Sequence, residues 1–233
     1  MSQPKQLFEL QLLDSKTDNA LARLGEIEIA LNDSSVLIKA ETQASTAEKK
    51  FNRAQKDQKS AGQEVETQQT KISNNEKVTY SGSVTNPKEL EDLQLEAEAL
   101  KRHLLVLEDK LLETMVAFEE AEKVHKQAQT NLEITRSKVS AEKSSLTEEQ
   151  INLRGFVEEK NAERAAFVAG LDAESIGIYE KLRASKNGIA VAQVVDKSCA
   201  ACGVNLTPAQ AQAARSPNKI TTCTSCRRIL YSG

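Results

Sequence analysis

A chain of 233 residues with only 3% aromatics and no Trp does not read as one ordinary globule, because such cores draw much of their buried area from aromatic side chains. Long stretches of Ala, Glu, Lys, Gln and Leu suit extended helices or a coiled coil instead. The net charge of −3 hides an asymmetry: from Lys186 onward six basic residues stand against one acid, a net of +5, while the preceding residues carry −8. A basic module therefore follows an acidic stalk, suited to phosphate, to an acidic protein surface, or to offsetting negative charge of its own. The opening MSQPKQLFEL lacks the basic start and apolar run of a leader. Apolar runs such as residues 104–107 are far too short to span a bilayer. The expectation is a cytoplasmic protein without a membrane segment and with reduced thiols.

Residues 5–72 contain no Pro, and apolar residues recur at spacings of three and four: Leu7, Leu10, Leu13, Leu21, Leu24, Ile27, Leu31 and Ile38. This is the stripe of an amphipathic helix. Beyond Ala40 it thins to Ala44, Ala47, Phe51, Ala54, Val65 and Ile72, too weak to stand without a partner helix. Asn74-Asn75, Ser81-Gly82 and Asn86-Pro87 place a turn at about 74–86. Asn86 suits a helix N-cap, Pro87 the first helical position, and Glu89 the third.

The second helix has a readable register. From Leu93 through Ala97, Leu100, Leu104, Leu107 and Leu111 to Phe156, spacings of four and three alternate as in a heptad repeat. One series stays apolar except at His125, which reads as a packed or register-setting residue. The other decays to Thr114, Thr135, Glu142 and Glu149. Two such helices pair antiparallel within one chain. A turn centred near Tyr80 puts Lys5 opposite about Gly155, a paired stretch of about 105 Å at ~1.5 Å per residue. The overhang should break near 170–172, where Asp172 caps a short helix carrying Tyr179 and lets the last module pack beside the N-terminal end. The chain divides on this reading into a helical hairpin, 1–185, and a small module, 186–233.

That module carries Cys199-Ala-Ala-Cys202, a gap of twenty residues, and Cys223-Thr-Ser-Cys226. Two residues between cysteines form a knuckle that aims both sulfurs at one ion, and two knuckles complete a tetrahedral four-thiolate shell. Zinc is the expected ion; iron in a rubredoxin-like shell uses similar spacing. Thioredoxin-like chemistry is disfavoured because no βαβ pattern surrounds either motif. Four thiolates leave no open coordination position, so the site reads as structural, and the chain as a non-enzyme. Residues 189–195 and 229–231 are β-prone and frame the site as the short strands of a zinc ribbon. The fold class is thus mostly α, a long antiparallel coiled-coil hairpin followed by that ribbon.

Taken together, Leu7-Phe-Glu-Leu-Gln-Leu-Leu-Asp14, Tyr80-Ser-Gly-Ser-Val-Thr-Asn-Pro-Lys-Glu-Leu-Glu-Asp-Leu93 and Cys223-Thr-Ser-Cys226-Arg-Arg-Ile-Leu-Tyr231 resemble a bacterial family of four-cysteine zinc-ribbon proteins with a coiled-coil hairpin, described as predicted nucleic-acid-binding proteins. The resemblance covers essentially the whole chain. It departs at Arg227, where the family commonly has Gly. It implies an adaptor. Members in flagellated or type III-secreting bacteria are linked to the sigma-54 factor of RNA polymerase, to export-apparatus proteins and to RNA.

Two surfaces are candidates for such work. Lys197, Arg215, Lys219, Arg227 and Arg228 would meet nucleic acid (RNA or DNA) or an acidic partner. Tyr80, Asn86, Lys88 and Glu89 would meet a protein at the hairpin tip, where Val78 and Val84 add apolar surface. The alternative is a purely structural spacer or oligomerisation protein. A monomeric hairpin and a weak dimer both fit the helical pattern.

Overall fold

The structure is a computed structural model, and it describes residues 2–217 and 219–233. Five helices and three short strands follow in order: α1 (Gln3–Asn32), α2 (Ser35–Tyr80), α3 (Pro87–Ala169), α4 (Ala173–Ser185), β1 (Val191–Val195), β2 (Ser198–Cys199), α5 (Pro208–Ala213) and β3 (Ile229–Tyr231). They form two compact units, one of residues 1–33 with 143–233 and one of residues 34–142. Among the described residues, no helix is long and apolar enough to cross a membrane.

The first arm of the hairpin is not one helix. Asn32-Asp33-Ser34-Ser35 interrupts it, a run of short polar residues that compete for backbone hydrogen bonds and favour helix ends. The turn is also shorter than 74–86. Helix α2 runs through Asn74-Asn75 to Tyr80, leaving residues 81–86 outside helices. Asn75 is held there, buried, by donating from Nδ2 to Glu96 at 2.9 Å, so a residue that reads as a breaker serves as a cross-helix tie. Asp14 meets Arg164, well beyond the partner near 146 that a turn at Tyr80 implies, and the later turn accounts for only about seven residues of that offset. As expected, Asn86 caps α3, its Oδ1 accepting the Lys88 backbone N–H at 3.1 Å.

In the unit formed by residues 34–142, α2 contributes small buried residues, Ala44, Ala47 and Ala61, and α3 contributes larger ones that stay half-buried. Helix α3 has no fully buried residue, whereas α2 also buries the larger Val65, Gln68 and Ile72. Every expected seam position from Leu93 to Phe156 is half-buried except Glu142, where the inward position falls on Lys143. His125 lies in the seam, stacked on Phe51 at 5.1 Å and 11°. Gln68 donates to the Leu100 carbonyl at 2.9 Å, and Arg136–Glu41 and Lys110–Glu64 pairs flank the seam.

In the other unit the expected boundary at 185/186 is not a break in packing. Leu7 and Leu10 of α1, Tyr179 of α4, and Ala190, Val191 and Ile229 form one core. The chain leaves the helix after Ala169, and Asp172 caps α4 by accepting the Ser175 N–H at 2.9 Å. The strands order as β2-β1-β3, with β1 antiparallel to β2 and parallel to β3. Alternation along β1 and β3 turns Val191 and Ile229 toward α1 and α4. It turns Ala192 and Leu230 toward a second core with Leu206, Ala214, Cys199 and Cys223. Leu21 and Ile38, expected on the inward stripe, are 50% and 59% exposed: Asp14, Thr17 and Ala20 hold the inward face of α1, and on α2, in the other unit, Leu37 takes the half-buried position instead of Ile38.

Candidate metal centre

Two loops of the same design bring the cysteines together. In the first, the Gly203 N–H donates to the Cys199 carbonyl at 2.8 Å and the Cys199 N–H to the Val204 carbonyl at 3.0 Å. In the second, the Arg227 N–H donates to the Cys223 carbonyl at 2.9 Å and the Cys223 N–H to the Arg228 carbonyl at 2.8 Å. Both loops close through a left-handed residue, Gly203 at φ 73° and Arg227 at φ 64°. Glycine adopts that conformation freely, whereas a side chain there costs about 1 kcal/mol. The departure at Arg227 therefore keeps the knuckle's shape at an energetic cost.

The β1–β2 hairpin positions the first knuckle. Asp196 and Lys197 both have positive φ, 48° and 61°, and form a two-residue turn that matches strand twist. The second knuckle leads straight into β3. Arg228 fastens it, its Nε donating to the Ile189 carbonyl at 2.8 Å and its Nη2 to the Lys186 carbonyl at 3.4 Å.

All four Sγ atoms lie within 4.8 Å of one another. Cys199 and Cys226 are 3.8 Å apart and Cys202 and Cys223 3.7 Å, far beyond a disulfide bond. A tetrahedron with zinc–sulfur bonds of about 2.3 Å has edges of about 3.8 Å. The donor set and its geometry therefore fit one structural zinc ion. Cys199 and Cys223 are buried while Cys202 is exposed. Burial pushes the Cys199 thiol up to about 12. Burial also raises Cys226, but the Arg228 backbone N–H and the neighbouring thiols outweigh it and bring that thiol down to about 7. A bound cation reverses the cost at Cys199, since metal ligation requires the thiolate.

Lys197, Arg215, Lys219 and Arg227 are exposed and make no ion pair among the described residues. Arg228 is half-buried and committed to the two carbonyls. The tip residues belong to the other compact unit: Tyr80 is 80% exposed, Lys88 and Glu89 are exposed on the first turn of α3, and Asn86 spends its side chain on the cap.

A polar cluster that sequence reasoning missed lies beneath α4. Asp14, 2% exposed, accepts from Tyr179 Oη at 2.8 Å and from Arg164 Nε at 2.7 Å, with Arg183 Nε 3.4 Å away. Gln11 grips Val191 of β1 twice, donating to its carbonyl at 2.9 Å and accepting its N–H at 2.6 Å. The available signal was a carboxylate and an amide at inward positions of an otherwise apolar helix.

The family described as CT398-like coiled coil hairpin domain matches residues 10–187, and the family described as C4-type zinc ribbon domain matches residues 198–230. Two curated Mycobacterium tuberculosis relatives from different strains, the uncharacterised proteins MT2288 and Rv2229c, are each 28% identical over 152 residues. The match covers 64% of this chain and 62% of theirs. Among solved structures, CT398 from Chlamydia trachomatis is similar with a TM-score of 0.73 at 19% identity, over 99% of this chain and 98% of that one. A Mycobacterium smegmatis protein gives 0.65 at 18% identity, over 99% of each chain. HP0958 from Helicobacter pylori gives 0.53 at 16%, over 99% and 97%. These likenesses concern the fold.

Proposed function

The chain belongs to the CT398-like coiled-coil hairpin family, and from that premise we propose that it is a zinc-stabilised, non-enzymatic adaptor that holds a protein partner at the turn of its hairpin. The observation that carries this reading is Tyr80, which ends α2 with 80% of its surface in solvent, beside Val78 at 47%. Its base is fixed. Thr79 and Asn75 are buried, and the Ser81 hydroxyl bonds the Val78 carbonyl and the Ser83 hydroxyl at 2.8 and 2.6 Å. An aromatic ring held out from a rigid turn loses little entropy on binding and is the usual anchor of an interface. Lys88 and Glu89 would add charge selectivity beside it, while Asn86 shapes the turn.

A second reading, nucleic-acid contact by the ribbon, is favoured by the four unpaired cations. It rests mainly on phosphate contacts, because the ribbon's sole aromatic residue, Tyr231, is half-buried and already stacked on Phe8 at 5.1 Å. Such binding falls steeply with salt.

Affinity purification with and without RNase tests both. The partner should survive RNase and a Cys199→Ser/Cys202→Ser exchange, and should be lost with Tyr80→Ala/Lys88→Glu. A partner set that the tip variant leaves unchanged would refute the tip reading. No partner under any condition would leave a structural spacer.

A further inference from the structure

Helix α4 and the second knuckle border an open cleft of about 490 Å³, a volume suited to a few side chains of a bound segment. Both walls belong to the compact unit of residues 1–33 with 143–233. On the helix side, Ile178, Lys181 and Leu182 follow at steps of three and four and share one face. Ile178 and Leu182 are half-buried and make that wall apolar. On the knuckle side stand Thr222, Thr224 and Arg227. Lys181 and Arg227 are exposed and make no ion pair among the described residues, and no Asp or Glu lines the cleft. Of the nearby acids on α4, Glu180 is engaged by Arg164, and Glu174 is not part of the lining.

Two features of the knuckle side select the occupant. The first is backbone. The Leu230 N–H donates to the Thr221 carbonyl and the Cys223 N–H to the Arg228 carbonyl, both at 2.8 Å, so residues 221–223 lie antiparallel against β3. In that pattern the N–H and C=O of Thr222 turn away from β3, and neither has a partner among the described residues. They form a short open edge on which an extended chain can pair. The second is Arg227. It holds a left-handed backbone at φ 64°, where the first knuckle has Gly203 at φ 73°, so the knuckle itself requires no side chain there. The guanidinium is kept at an energetic cost, and beside a cleft that cost has a use. We propose that this cleft binds an extended acidic segment of a partner protein, with its backbone on Thr222, an apolar side chain on Ile178 and Leu182, and its carboxylates on Lys181 and Arg227. Nucleic acid fits it less well: phosphates would meet both cations, but the apolar wall and the backbone edge would go unused, and no aromatic ring lines the cleft for a base. The hairpin tip lies in the other unit, so the two readings fail separately.

The test uses full-length zinc-loaded protein and a fluorescent peptide of about seven residues, a central Leu with Glu on both sides. Anisotropy should show saturable binding that weakens as salt rises. Lys181→Glu, on α4 and away from the metal ligands, should weaken it at least about tenfold and should favour a peptide with Lys in place of Glu. Ser in place of the central Leu of the peptide should weaken it about fivefold. Arg227→Gly should weaken it about tenfold while the protein keeps its zinc and unfolds at a higher temperature. Arg215→Ala/Lys219→Ala, at exposed cations outside the cleft, should stay within about twofold of wild type. Unchanged binding by Lys181→Glu would overturn the proposal, as would equal binding of the peptide without Leu. Zinc lost from Arg227→Gly with peptide binding intact would show that the arginine balances the thiolates instead. A short RNA that binds more tightly than the peptide and is weakened by the same two exchanges would assign both cations to phosphate.

Discussion

Replacing Tyr179 by Phe removes one oxygen from the buried cluster under α4 and little else. The ring is fully buried, so its packing against Leu7 and Val191 persists. What is lost is the 2.8 Å hydrogen bond to Asp14, a carboxylate that is 2% exposed and cannot turn to water for a substitute. Hydrogen bonds to charged groups contribute about 1.5–3 kcal/mol. Arg164 remains at 2.7 Å, so the expected loss is about 2 kcal/mol, or roughly thirtyfold in the unfolding constant. Urea unfolding followed by circular dichroism at pH 7 measures it. The same variant has a pH signature. Burial first, then the bond to Asp14, pushes the Tyr179 hydroxyl far above its ordinary value. The folded chain therefore keeps this proton to higher pH than the unfolded chain. Its contribution is complete below about pH 10, the unfolded value, and declines as pH rises beyond that. Wild type should converge on Tyr179→Phe between about pH 10 and 11.5. A neutral-pH difference under about 0.5 kcal/mol, or parallel curves through the alkaline range, would refute the view that Tyr179 and Asp14 act as a buried charge-assisted pair.

Three further expectations concern the other ties. Purified protein should hold one zinc per chain by mass spectrometry, and chelation should abolish amide protection at Ile229 and Cys223, whose N–H groups donate to the Ala190 and Arg228 carbonyls and depend on the second knuckle. Arg227→Gly should stabilise the zinc-loaded protein by about 1 kcal/mol in thermal unfolding, because it relieves a left-handed side chain. His125→Leu should stabilise the unit of residues 34–142 by about 1–2 kcal/mol in hydrogen exchange, because Nδ1 of His125 is buried without a hydrogen-bond partner.

The cysteine spacing and the α3 heptad were legible because each is a local rule: two intervening residues aim two sulfurs, and a step of three or four returns to one face. Asn86, Pro87 and Asp172 were legible for the same reason, as caps act within one turn. What escaped depends on distant partners. Asn75 reads as a breaker until Glu96 is seen to bond it from the facing helix. Asp14 and Gln11 look like errors in an apolar stripe until α4 and β1 supply Tyr179, Arg164 and Val191. The break at Asn32-Asp33-Ser34-Ser35 was missed because a long run without Pro or closely spaced Gly outweighed four short polar residues. The short helix Pro208–Ala213 was missed too, although Thr207 and Gln210 close a reciprocal capping box at its start.

The grip of Gln11 on Val191 spans 180 residues of chain. At about 5–20 residues per second, synthesis delivers the strand roughly 10–35 s after the helix. Throughout that interval Leu7 and Leu10 have no strand to lie against, and the thiols that draw the last module together do not yet exist. Helix α1 is thus among the last of these elements to find its place, and the nascent chain carries an exposed apolar face while it waits. A ribosome-bound chaperone that covers this face would act before these four thiols are available to zinc.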